Sequence, residues 1–303
     1  MRKIFNKICI IVMLLVTNSL AQVGLGIFGL APDDAKEYSK PLATFFGTYL
    51  NSGSYYSADL PTTFQFKFSI IGMYSFIGDG QKTFTSNSGV SGYSNSGSTS
   101  TFVGEKGSYY TGPGGFLAYP GGFNVSSAPA AIYQIAGGAF GTELMVRFFP
   151  QIKIGDVSSG LWGVGLKHNF SQWFQGLPFD LALQVLYNNL SLENNSDDET
   201  EYIKFDSKNF AINIHGSKTF EEMFVVYGGL QYESSTMDLD YFFQDPNELY
   251  PEIADSRQST SVDGDNVFRF TGGGAIKVLP VVFNLDFNVT SMLTLTGGIS
   301  LQL

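Results

Sequence analysis

Among 303 residues the chain has two histidines and one cysteine, which leaves few side chains for nucleophilic or metal chemistry. Cys9 lies inside an apolar N-terminal run, so processing of that run would leave no thiol and no disulfide. His215-Gly216-Ser217 sets an imidazole and a hydroxyl two residues apart, on one face of a strand, where a base could activate a nucleophile. The same alternation turns both inward with Asn209 and Asn213, whereas an acyl chain would arrive from the lipid side, so no enzymatic activity is expected. His168 stands near a turn beside Trp173 and reads as an interfacial residue. There is no phosphate-binding glycine loop and no cluster of metal ligands, hence no expected cofactor or metal.

Charge is the remaining chemistry. Lys67, Arg147, Lys167, Arg269 and Lys277 fall on the polar face of alternating segments, together with Glu143, Asp180, Glu233 and Asp286. A pore selective for one ion sign would skew this balance. Mixed signs facing one interior predict a polar network that fills it. Glu143 and Arg147 lie ~13 Å apart along one strand, so each is expected to pair across strands. A second set of acids clusters between the segments, at 193–201 and 237–265. Oxygen-rich clusters suit Ca²⁺ or Mg²⁺ bridging to lipopolysaccharide, but the spacing fits no calcium loop and predicts solvated outer loops. The net charge of −10 argues against nucleic acid as a partner.

The elements that must position these groups are strands. Charged residues make up 15% and aromatic residues another 15%, with 35 glycines, a balance suited to a surface facing lipid. Leu293, Leu295, Ile299, Leu301 and Leu303 alternate with Thr294, Thr296, Ser300 and Gln302. Val281, Phe283, Leu285, Phe287 and Val289 alternate with Val282, Asn284, Asp286 and Asn288. One wholly apolar row and one polar row of Asn, Thr and Ser, over about 9–11 residues, is the pattern of a tilted transmembrane strand. Soluble strands are shorter, ~5–6 residues, and carry charge outward. Equivalent segments begin at Phe64, Ala130, Thr142, Trp162, Phe179, Asn209, Val226 and Phe268, which makes about ten strands joined alternately by short turns and long polar stretches. Missed strands between Gln81 and Phe123 would raise the count to about twelve or fourteen, in even steps. The expected fold is all-β: an antiparallel transmembrane barrel with a short N-terminal helix.

The N-terminus divides into three. Arg2, Lys3 and Lys7 precede the apolar run from Ile8 to Val16, and Ser19-Leu20-Ala21 offers a small-x-small cleavage pattern, so 1–21 reads as an export signal. The run is too short to span as a helix, which takes roughly 20 residues. Residues 22–58 read as a plug or cap: Pro32 and Asp33 start a helix, and Leu42, Phe45, Phe46, Tyr49 and Leu50 recur at helical spacing. The barrel occupies 59–303. A Ser/Gly/Asn-rich stretch at 86–100, followed by Gly/Pro-rich chain to 122, reads as a long mouth loop.

Several runs resemble a known family. They are Gly141-Thr142-Glu143 with Arg147 and Pro150, Gly163-Val164-Gly165-Leu166-Lys167-His168, Gln172-Trp173, and Tyr227-Gly228-Gly229-Leu230-Gln231-Tyr232-Glu233-Ser234-Ser235. They resemble an uncharacterised family of Gram-negative outer-membrane β-barrel proteins, distantly similar to the long-chain fatty-acid transporter class of barrels. The resemblance covers roughly Ala128 to Gln244 and, more loosely, 33–49, and the chain ends in Leu303 where such barrels usually end in Phe. It implies a fold and an outer-membrane location but no substrate, and no ligand motif carries over. The expected partners are outer-membrane lipid and lipopolysaccharide, the barrel assembly machinery through the C-terminal strand, and a hydrophobic ligand. The leading expectation for function is passive transport of a small hydrophobic or amphipathic solute. The alternative is a non-transporting structural or partner-binding barrel.

Overall fold

The structure, a computed structural model, describes residues 26–303 other than 88, 94–96, 114, 175, 195 and 246–247. The export signal expected over 1–21 lies outside the described residues. Helix α1 (Pro32–Leu50) is followed by strands β1 (Gln65–Phe76), β2 (Thr83–Thr85), β3 (Ser98–Ser100), β4 (Ser108–Gly112) and β5 (Gly115–Tyr119). Then come β6 (Ser127–Ala139), β7 (Thr142–Ile154), β8 (Val157–Asn169), β9 (Asp180–Asn194) and β10 (Ile203–Phe220). The last five are β11 (Phe224–Phe243), β12 (Ser256–Asp263), β13 (Phe268–Val278), β14 (Val281–Val289) and β15 (Leu293–Gln302).

Ten strands close into a ring in the order β1-β6-β7-β8-β9-β10-β11-β13-β14-β15, with β15 paired back to β1. Every pairing is antiparallel, as short turns between sequential strands require. Closure pairs every strand of the ring on both sides, β6 with β7 over the shorter stretch from Tyr133↔Phe148 to Ala139↔Thr142, and such closure is how backbone crosses hydrocarbon. No described helix is long and apolar enough to do so. The connections at 140–141, 221–223 and 279–280 are short and lie at the end where β1 begins and β15 finishes, here the lower end. Phe140 and Gly141 both take positive φ, 52° and 69°, the geometry that turns a two-residue hairpin without splaying its strands. The long connections 77–126, 195–202 and 244–255 stand at the upper end.

The dyad pattern sorts the side chains as the alternation predicts. Leu144, Val146, Trp162, Val164 and Leu166 are exposed on the outer surface, while their strand neighbours are buried inside. On β11 the apolar outward row runs from Phe224 to Tyr232, about 20 Å in height at ~3.3 Å per residue and ~40° tilt. That approaches the ~25 Å lipid-facing band of a membrane barrel. Phe64, Phe140 and Trp173 project at the lower rim, where aromatic rings anchor a barrel at the membrane surface.

The strand count of ten holds, and the four short strands between 81 and 123 form two hairpins, β2–β3 and β4–β5, outside the ring. The expectation that 237–265 is an outer loop is corrected. Residues 237–243 extend β11, and β12 pairs with them from Thr236↔Asp263 to Phe243↔Ser256. Above the belt the outward row turns acidic, with Asp238 and Asp240, while Met237, Leu239, Tyr241 and Phe243 are buried inward. The strand period persists there with its charge facing water, so the acids made it read as a loop. Between β12 and β13 the chain has one residue more than β11 opposite it, a bulge spanning 264–267.

Candidate functional site

The lumen is filled by the N-terminal segment, which enters at the upper mouth and leaves at the lower rim. Near the mouth, Phe28 O accepts from Gln244 N–H and Leu30 O from the Tyr241 hydroxyl. Pro32 opens α1, with Asp33 and Asp34 in its first turn, where carboxylates complement the positive end of the helix. The buried face of α1 carries Tyr38, Leu42, Phe46 and Leu50 against Ile71, Met73, Phe205, Met237 and Leu239. The upper lumen is therefore an apolar core built around a helix, which the sequence reading of a polar interior did not foresee. The helix sits against β10–β12, where the bulge reaches inward. Asp265 N–H donates to Thr44 Oγ1 (3.0 Å), Lys40 pairs with Asp265 (3.0 Å), and Asn266, wholly buried, bonds Ser235 Oγ (2.8 Å).

At mid-height the helix ends on two guanidinium groups. Arg147 donates to the carbonyls of Leu50 (2.5 Å) and Ser52 (2.7 Å). Arg269 donates to Thr48 O (2.7 Å) and to Ser52 Oγ, and pairs with Glu233 at 3.0 Å. The last carbonyls of a helix lack partners of their own and carry partial negative charge, so two cations there satisfy both needs. Below this clamp the chain descends as coil. Gln231 donates to Asn51 O, Ser54 Oγ to Gln184, and Ala58 N–H to Ser217 Oγ (2.8 Å). The descent ends at the lower rim, where Thr62 O and Pro61 O accept from Phe140 and Gly141.

The nine charged positions singled out in the sequence separate into groups. Glu143 bridges Lys67 (2.6 Å) and Lys167 (2.8 Å), all three buried, across three strands. Glu233 holds Arg269, while Arg147 meets plug carbonyls instead of a carboxylate. Asp286 accepts from the Tyr227 hydroxyl (2.8 Å) and Asn288 (2.6 Å). Asp180 and Lys277 are half-buried toward the lower end, where Ser171 Oγ donates to Asp180 (3.4 Å). The four plug positions fall on α1, with Leu42, Phe46 and Tyr49 buried and Phe45 half-buried, stacked on Tyr49 at 6.1 Å. His215 and Ser217 do not engage each other: His215 bonds Asn213 (2.8 Å) and stacks on Tyr55 (3.8 Å), and Ser217 binds the plug backbone. Gln231 lies on the polar row of β11 that alternation picks out, whereas Asn51, Ser52 and Asn266 were missed, because single polar residues in coil or on a bulge leave no periodic signal.

Beside α1, away from β10–β12, lies a cavity of about 130 Å³. Phe45, Phe46 and Tyr49 form its helical side, and Phe149, Leu161, Leu190 and Leu192 line it from the wall. With almost no polar atoms in its lining, it suits an apolar guest. An engineered cavity of about 150 Å³ holds benzene.

The sequence matches the family described as "Family of unknown function (DUF6588)" over residues 1–303. No curated protein matches it. Among solved structures it is similar to the attachment invasion locus protein Ail of Yersinia pestis, at 9% identity and TM-score 0.29, over 79% of this chain and 98% of that one. It is also similar to the translocator domain of the autotransporter NalP from Neisseria meningitidis, at 7% identity and TM-score 0.35, over 89% and 97%. A FadL homologue of Pseudomonas aeruginosa matches at 8% identity and TM-score 0.26, over 86% and 97%. At these TM-scores the likenesses carry no argument about function.

Proposed function

This chain belongs to the DUF6588 family of unknown function, and we propose that it is an outer-membrane barrel for passive transport of a small hydrophobic or amphipathic solute. In this reading the lower end faces the periplasm, α1 is the plug, and the segment 77–126 covers the outer mouth. Lipid and lipopolysaccharide surround the belt, and the C-terminal strand β15 is the handle for barrel assembly. Nothing in the proposal calls for catalysis or a cofactor.

The observation that carries the reading is the apolar cavity between the plug helix and the wall. A barrel that only filled space would pack this region as densely as its other side. Calorimetry with benzene tests it directly: the detergent-solubilised protein should bind benzene, and Ser159→Phe, which fills the cavity from β8, should abolish binding. No benzene binding by the wild-type protein would remove the basis for the proposal. The second reading, a structural or partner-binding barrel, is favoured by the clamp of Arg147 and Arg269, which seals the lumen axis. Mass spectrometry of the purified protein separates the two, since a co-purified apolar molecule supports transport.

A further inference from the structure

The ladder between β6 and β7 stops at Tyr133↔Phe148, although β6 continues to Ser127 and β7 to Ile154. Continuing the register would set Ala131 against Pro150 and Pro129 against Ile152. Each pair would need an amide hydrogen that a proline lacks. β7 leans instead toward β8, with an irregularity between Phe149 and Ile152. The Ala131 carbonyl, which residue 150 cannot serve, accepts from the Tyr49 hydroxyl of α1 at 2.6 Å. The wall thus has a seam, and the plug reaches into it. Pro129 and Ser127 pair on their other side with Tyr74 and Phe76, both exposed in the apolar belt, so the seam opens within its upper part.

The cavity beside Phe45, Phe46 and Tyr49 lies directly behind this seam. Above, the mouth segment is bonded to α1 through Phe102 N–H to Tyr38 O and the Tyr119 hydroxyl to Asp34. Below stands the arginine clamp. On the hydrocarbon side, the β6–β7 ladder among the described residues goes no further than Tyr133↔Phe148.

We propose that the seam admits the end of an acyl chain from a membrane lipid of the outer leaflet into this cavity. The inference rests on reading the cavity as the ligand site, and it names the ligand as a membrane-resident amphiphile. Its chain passes from one apolar medium to another and sheds no water. Its polar headgroup stays at the barrel surface, because the cavity offers nothing to replace hydration.

The test reconstitutes the full chain in vesicles of phosphatidylethanolamine and phosphatidylglycerol containing a phospholipid with a diazirine at its chain end. Photolysis and peptide mapping should find adducts on Phe45, Phe46 or Tyr49, inside the barrel, as well as on the outward Leu144 and Trp162. Pro129→Thr with Pro150→Thr restores both amides; plug adducts should then fall about tenfold or more, with belt adducts and benzene binding unchanged. Adducts confined to outward residues, in protein that still binds benzene, overturn the lipid inference and leave the cavity reading intact. Loss of both signals overturns both. Plug adducts that persist in the double variant overturn the seam as the route.

Discussion

Glu143 neutralises two lysines at once, all three groups being buried, so its removal leaves two buried cations facing each other. Breaking a buried ion pair from one side costs about 3–5 kcal/mol, more than the pair's net worth. Glu143→Gln should therefore lower stability by about that amount in urea titrations followed by tryptophan fluorescence, and a loss under about 1 kcal/mol would show that the lysines find other partners. Asp34 behaves differently. Burial pushes its carboxyl up from the ordinary value, against the opposing pull of the Asn87 N–H and the Tyr119 hydroxyl. The folded state therefore binds the proton more tightly than the unfolded chain, and stability is lost as pH rises through the interval between the two values. Asp34→Asn should gain thermal stability over wild type at neutral pH, and the gap should close as pH falls into the ordinary carboxylate range. A gap independent of pH would contradict it. The inward rows were legible from alternation alone. The partners were not: nothing in a strand pattern says that Arg147 meets the end of a helix nearly a hundred residues earlier.

At the scale of elements, α1 is placed by close approach as much as by its apolar face. A Cβ on Gly47 would overlap Ser235 Oγ and sit 2.5 and 2.6 Å from the side-chain amide of Asn266. Alanine is the better helix former by ~1 kcal/mol, yet here the overlap must win. Gly47→Ala should destabilise by about 1–3 kcal/mol, the usual cost of overpacking a filled site, and should speed hydrogen exchange in α1. A stabilised variant would mean that the helix is not pressed onto the bulge. The helix itself was readable from Pro32, Asp33 and the spacing from Leu42 to Leu50. The upper parts of β11 and β12 were not, because above the belt the outward row changes from apolar to acidic while the strand continues. The seam was equally hidden: Pro129 and Pro150 each look harmless alone, and only the register brings them to the same gap.

Over the whole molecule, three layers follow from where water is absent. The outward rows are apolar because they meet hydrocarbon, and the lower lumen carries a network of buried charges and amides. The upper lumen is an apolar core around a threaded helix. The barrel class and its ten strands were evident in dyad periodicity, which hydrocarbon on one side imposes along every strand. The filling was only partly evident, since the coil from 51 to 64 bonds the wall through single polar atoms that have no period. All three layers depend on residues 26–64 sealing the lumen. Single-channel recording in planar bilayers tests it, with folding of each protein confirmed by its heat-dependent gel mobility. The full chain should be electrically silent, whereas deletion of residues 22–58 should give a steady ion-conducting pore. A conducting full chain, or a folded deletion variant that stays silent, would contradict the account.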